Sequence, residues 1–159
     1  MFKNKIIQRV IVVFSIIGFV AGCTDGKLEL RVGDDNDRVY INGNSAGGDG
    51  APFSGAVKVN NTLYISGALG LVDRKVPEDP AVEARAVLDS IKRTLETAGM
   101  DMDDLVSVQI FCSDVANYGA FNGVYRTYFT KEFPARAFVG SGTLLFNARF
   151  EVMAVAVKR

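Results

Sequence analysis

The chain has 159 residues, 48% of them apolar, which is enough for one domain with a real core and unlike a disordered chain. It has no histidine and only two cysteines, Cys23 and Cys112; this excludes Ser-His-Asp and Cys-His catalysis, His-ligated metals and any cysteine-built zinc site. Formal charge is zero, but residues 1–23 hold Lys3, Lys5 and Arg9 and no acid, leaving 15 bases against 18 acids and arguing against non-specific nucleic-acid binding.

Residues 1–23 read as an export signal. A basic start, MFKNKIIQR, precedes an apolar run from Val10 to Val20, shorter than the roughly 20 residues that span a bilayer. The ending Val20-Ala21-Gly22-Cys23 resembles a bacterial lipoprotein box, in which the cysteine receives lipid before cleavage. An uncleaved anchor and an ordinary secretory signal are the alternatives. Each puts the domain outside the cytoplasm, and the first reading places it in the cell envelope on a membrane surface, the inner or the outer one. Residues 24–50 are polar and Gly-rich, which is tether composition. Fully extended they reach roughly 90 Å. Within them KLELRV and RVYING alternate briefly, as an edge strand does.

The folded domain is expected over 51–159. SGAVKV, Asn60-Asn61 and TLYISG read as a β-hairpin, with Ser66-Gly67 closing its second strand. ALGLVDRKVPEDP reads as a loop. A helix follows from about Pro80 to Ala98, with Ala84, Val87, Leu88, Ile91 and Leu95 on one face and Gly99 as its cap. Asp101, Asp103 and Asp104 read as a solvated acidic turn. LVSVQIFC (105–112) is a strand with Val106, Val108, Ile110 and Cys112 on one side, the cysteine serving as a small core hydrophobe. A second helix is expected from about Asn117 to Phe129, with an aromatic stripe that packs in the core.

Phe133 to Arg159 reads as two strands joined by a short link. Arg136 sits at the start of the first. In the second, Phe150, Val152, Ala154 and Ala156 point one way, and Arg149, Glu151, Met153, Val155 and Val157 the other. Glu151 is out of place on that mostly apolar face and needs a partner or a job. The order β-β-α-β-α-β-β has too few helices to cover both faces of a sheet. The expectation is an α+β domain with a mixed sheet, both helices on one face and the other face covered by a symmetric oligomer.

APFSGAVKVNNTLYISG, LETAGM, DLVSVQIFCSD, NGVYRTYF, FPAR and FEVMAVAV, in that order, resemble the RidA (YjgF) family of small imine deaminases over about 51–159. The resemblance implies a chorismate-mutase-like fold and a homotrimer with clefts between subunits. It implies cofactor-free hydrolysis of reactive 2-enamine and 2-imino acids to 2-keto acids and ammonia. In the family an arginine of the FPAR motif grips the substrate carboxylate; that position is Arg136, and a planar guanidinium suits the task. The family's last-strand glutamate falls on Glu151, which would hold or activate the attacking water. Ser66, Gly67 and Asn122 match further cleft positions. Phe53 stands where the family often has Tyr, Phe138 where a Cys is common, and Leu145 where many members carry Pro.

Each residue also has a plain structural reading. Arg136 and Glu151 form a salt bridge, or Glu151 is an interface acid. Ser66 satisfies backbone, Asn122 bridges helix to loop, and Phe53 packs. The functional alternatives are a non-catalytic binder of small carboxylates such as keto acids, and, weakest, a ribonuclease.

Overall fold

The computed structural model describes residues 30–32, 38–43 and 48–159. Residues 1–23, with Cys23, lie outside the described residues. Within them one seven-stranded sheet carries two helices. Its strands are β1 (Leu30–Val32), β2 (Arg38–Ile41), β3 (Ala56–Val59), β4 (Thr62–Leu69), β5 (Leu105–Cys112), β6 (Ala135–Gly140) and β7 (Phe150–Val157). The spatial order is β1-β2-β3-β4-β7-β5-β6, antiparallel throughout except for the parallel pair β5–β6. No helix among the described residues is long and apolar enough to cross a membrane.

Both helices pack on one face. Helix α1 (Pro80–Thr97) is N-capped by Asp79, whose carboxylate accepts from Ala81 N, and Gly99 adopts φ 73° just past its end. Helix α2 (Tyr118–Tyr125) is shorter than its pattern predicts, because the chain tightens into a 3₁₀ turn over Arg126–Tyr128. A row of aligned strand residues runs under the helices: Ile41, Ala56, Ile65, Ala154 and Val108 are buried, and Arg136 ends the row on the edge strand. The far face is uncovered in the protomer. Tyr64 is 53% exposed there and Met153 38%, with Val57, Phe111 and Val155 half-buried around them.

Four expectations change. First, the brief alternation within 24–50 forms not one edge strand but two strands, β1 and β2, that extend the sheet, and Ile41 is fully buried. That alternation, and not its polar surroundings, decides the segment's fate. Second, β4 does not close at Ser66-Gly67. It continues to Leu69, with those two residues forming a bulge between the Ile65–Ala154 and Ala68–Val152 pairs. Third, Val106 is exposed, because the ladder to β7 shifts between Leu105 and Ser107 and turns Leu105 inward in its place. Fourth, the acidic turn is built in. Asp101 and Asp104 form a capping box, and buried Asp104 pairs with Lys158 at 3.3 Å and Arg159 at 3.5 Å.

Candidate active site

Arg136 is positioned from two sides. Strand β6 lies parallel to β5, in register at Val108–Arg136, so the side chain leaves the sheet on the helix face. There it meets one face of α2, where Tyr118, Asn122 and Tyr125 recur at helical spacing. Arg136 Nη1 donates to Asn122 Oδ1 at 2.7 Å. The guanidinium carbon lies 4.8 Å from the Tyr125 ring centroid and 5.8 Å from that of Tyr118. Its partners among the described residues are thus an amide oxygen and two π faces. Among the described residues no carboxylate pairs with it. A cleft of about 190 Å³ opens beside it, walled by Asn122, Tyr125, Arg126, Phe133 and Pro134.

The aromatic stripe of α2 is therefore both core and wall. Phe121 lies 4.9 Å from Phe150 between ring centroids and stays in the core, whereas Tyr125 stands against Phe129 at 4.7 Å and Phe133 at 6.2 Å and faces the cleft. Burial pushes the Tyr125 hydroxyl up to about 12, against the pull of Arg136, so it is a neutral phenol. That hydroxyl has no hydrogen-bond partner among the described residues. Phe138 also joins this cluster, edge-on to Tyr118 at 5.0 Å.

Glu151 lies elsewhere. It pairs with Leu69 on β4 and Phe111 on β5, and Phe111 pairs with Val139 on β6. Arg136 precedes Val139 by an odd number of strand positions, so the two side chains leave the sheet on opposite faces. A salt bridge between them within one protomer is ruled out. The Glu151 carboxylate makes no hydrogen bond or ion pair among the described residues, and it lies over the β4 bulge. A methyl group at Gly67 would stand 3.0 Å from Glu151 Cδ, so glycine is required for this placement. Ser66 Oγ donates to Ser54 O at 2.7 Å, fixing the bulge to the segment that carries the 58%-exposed Phe53.

The predicted residues thus fall into two groups. Arg136, Asn122 and Phe138 gather at the helix face of the β6 edge. Glu151, Ser66 and Gly67 gather about the bulge, and Phe53 precedes Ser54, whose carbonyl accepts from Ser66 Oγ. Leu145, 71% exposed, does not line the Arg136 cleft. Tyr118 and Tyr125 were missed as site residues; the spacing of Asn122 from Tyr125 inside NGVYRTYF was the available signal.

A third constellation holds the frame. Fully buried Glu83 of α1 takes Arg149 Nη1 at 2.7 Å and the backbone N–H groups of Arg149 at 2.6 Å and Phe150 at 3.1 Å. Arg149 also donates to Pro77 O and Glu78 O. Its side chain therefore turns toward α1, and β7 begins only at Phe150. This network fixes the strand end that carries Glu151. Cys112 is buried, and burial pushes its thiol up. Among the described residues no cluster of three or more His, Cys, Asp or Glu side chains is placed to hold a metal ion.

The family described as Endoribonuclease L-PSP matches residues 45–158. A goat protein named 2-iminobutanoate/2-iminopropanoate deaminase is 37% identical over 110 residues, covering 67% of this chain and 80% of that one. The yeast (Saccharomyces cerevisiae) protein HMF1 is 36% identical over 117 residues, covering 72% and 91%. The crystal structure of the YjgF gene product of E. coli superimposes with a TM-score of 0.65 at 31% identity, covering 72% of this chain and 91% of that one. That of RidA from an Antarctic Psychrobacter gives 0.65 at 29% identity, covering 74% and 94%. A mixed sheet with both helices on one face, a guanidinium bared beside a cleft and these likenesses lead to one assignment: the chain belongs to the RidA/YjgF family.

Proposed function

We propose that this protein hydrolyses small reactive 2-imino acids, and the enamines that tautomerise to them, to 2-keto acids and ammonia. The observation that carries the reading is the un-neutralised Arg136 guanidinium at its cleft. Held by neutral groups, it keeps its full charge for a substrate carboxylate, which accepts two parallel N–H bonds. The relatives named as deaminases support the choice of reaction.

Chemistry then needs a water and a base. Glu151 takes a proton as the water oxygen adds to the imine carbon, and the C=N bond becomes C–N. Return of that proton to nitrogen gives a carbinolamine; Glu151 then carries the hydroxyl proton from oxygen to nitrogen, so that the C–N bond breaks, ammonia leaves and C=O forms. No redox step is involved, and the residues alone suffice. Because Arg136 and Glu151 leave opposite faces of one sheet, a complete site takes Arg136 from one protomer and the Ser66–Gly67–Glu151 corner from the next. A homotrimer closed by rotation makes three such seams and covers the uncovered sheet face.

The second reading is a non-catalytic keto-acid binder. It is favoured by Phe53 and Phe138, which put no hydroxyl or thiol where relatives of the family often have one. Ammonia release from freshly generated 2-aminoacrylate or 2-iminobutanoate separates the two. The deaminase reading expects turnover that Arg136→Ala reduces at least a hundredfold. Binding of 2-ketobutyrate without turnover would establish the binder instead.

We also propose that Cys23 carries lipid and holds the domain at a membrane surface of the cell envelope. Since β1 begins at Leu30, the intervening residues 24–29 reach at most about 20 Å rather than 90 Å. Metabolic labelling with palmitate, lost in Cys23→Ser, is the expected result; an unlabelled parent protein would refute it.

A further inference from the structure

The guanidinium of Arg136 is a strong cation on a long, rotatable stem, yet among the described residues only one of its five N–H donors is held, by Asn122. One hydrogen bond fixes one atom and leaves the plane of the group free to turn. A second constraint is therefore needed if two N–H groups are to point into the cleft together. The Tyr125 ring supplies that constraint. It is 97% buried, clamped between Phe121, Phe129 and Phe133, and it presents its face to Arg136 at 4.8 Å. Tyr118, 48% exposed and 5.8 Å away, is a looser neighbour.

We propose that Tyr125 is a positioning residue for the carboxylate grip, acting through its ring and not its hydroxyl: the aromatic face fixes the plane of the Arg136 guanidinium so that its free donors meet both oxygens of a bound carboxylate. This rests on the reading of the cleft as a carboxylate site. The ring does the work because the hydroxyl is buried without a partner and is closed to anything in the cleft. A quadrupole also orients the guanidinium without cancelling its charge, which an acid in the same place would do.

The test is a graded one on the full chain. Calorimetric titration with 2-ketobutyrate is compared among the parent protein, Tyr125→Phe, and proteins carrying mono-, tri- and pentafluorinated phenylalanine at 125. Fluorination drains the ring's negative face while keeping its shape, so folding is preserved where Tyr125→Leu risks losing it. Tyr125→Phe is expected to bind within about twofold of the parent. The fluorinated series is expected to weaken stepwise, on the order of three- to tenfold in all, with KM rising in parallel and kcat unchanged. A flat series, with Kd indifferent to fluorine while thermal midpoints shift, would make Tyr125 a packing residue only and overturn the proposal. A parent protein that binds no 2-keto acid would overturn the carboxylate reading itself, and this proposal with it.

Discussion

The Glu151 carboxylate rests directly over the backbone of Gly67, filling the space that a side chain at this position of the β4 bulge would take. A methyl group there must displace the carboxylate or spread β4 from β7. Gly67→Ala is therefore expected to lower kcat at least tenfold while 2-ketobutyrate binding through Arg136 stays within about threefold. Steady-state kinetics beside calorimetry check the split. Equal losses in both would place Gly67 in general stability instead.

Asn122 holds Arg136 through one charge-assisted hydrogen bond at 2.7 Å, and its side chain is nearly buried. Asn122→Ala should weaken carboxylate binding by about tenfold, a loss near 1.4 kcal/mol, with a smaller effect on kcat. Asn122→Asp should do something different. A carboxylate beside the guanidinium would neutralise it, and keto-acid affinity should fall further than in the alanine variant.

Glu83 is the buried ion of the frame, with Arg149 and two backbone N–H groups on its oxygens. Removing one partner leaves the rest buried and unpaired. Glu83→Ala is expected to cost about 3–5 kcal/mol of stability, read from denaturant midpoints. Arg149→Met should be costly too, because it strips the counter-ion from a carboxylate that is itself fully buried. Tyr125→Phe should move the other way: deleting an unpartnered buried hydroxyl should leave stability unchanged or raise it by about 1 kcal/mol.

Two carboxyls near the C-terminus are held below the ordinary aspartate value of 3.8. Thr130 hydrogen bonds do this for Asp103. For Asp104, burial is the largest influence and works upward, but the Asp101 amide, Lys158 and Arg159 together outweigh it. Depressed values mean stabilisation that is full above the unfolded value and lost as pH falls through the folded one. Thermal midpoints of the parent should therefore fall between about pH 5 and pH 3, and Asp104→Asn should flatten that slope.

The helix pattern of α1 and the alternation of β7 were legible because each buries one recurring face against the same core. FPAR and NGVYRTYF likewise named Arg136 and Asn122. What local sequence did not carry was relation between faces. Arg136 and Glu151 sit on strands that are not neighbours, and a side chain's face depends on register and on bulges such as those at Leu105–Ser107 and Ser66–Gly67, where one extra residue inverts the alternation. The bulge at Leu105–Ser107 hid the exposure of Val106. The Glu83–Arg149 contact joins residues 66 positions apart and leaves no local trace. In RVYING the alternation was legible as an edge strand, but not that it pairs on both sides and buries Ile41 against the core.

The division of the site between two protomers is tested most directly by mixing. Arg136→Ala and Glu151→Gln proteins are each assayed alone, then co-refolded in equal amounts and assayed again for ammonia release. If each seam joins Arg136 of one subunit to Glu151 of the next, both variants alone are nearly inactive and about a quarter of the seams in the mixture are intact, restoring about a quarter of the unsubstituted protein's activity. Activity in the mixture no greater than the mean of the two variants would contradict a shared site.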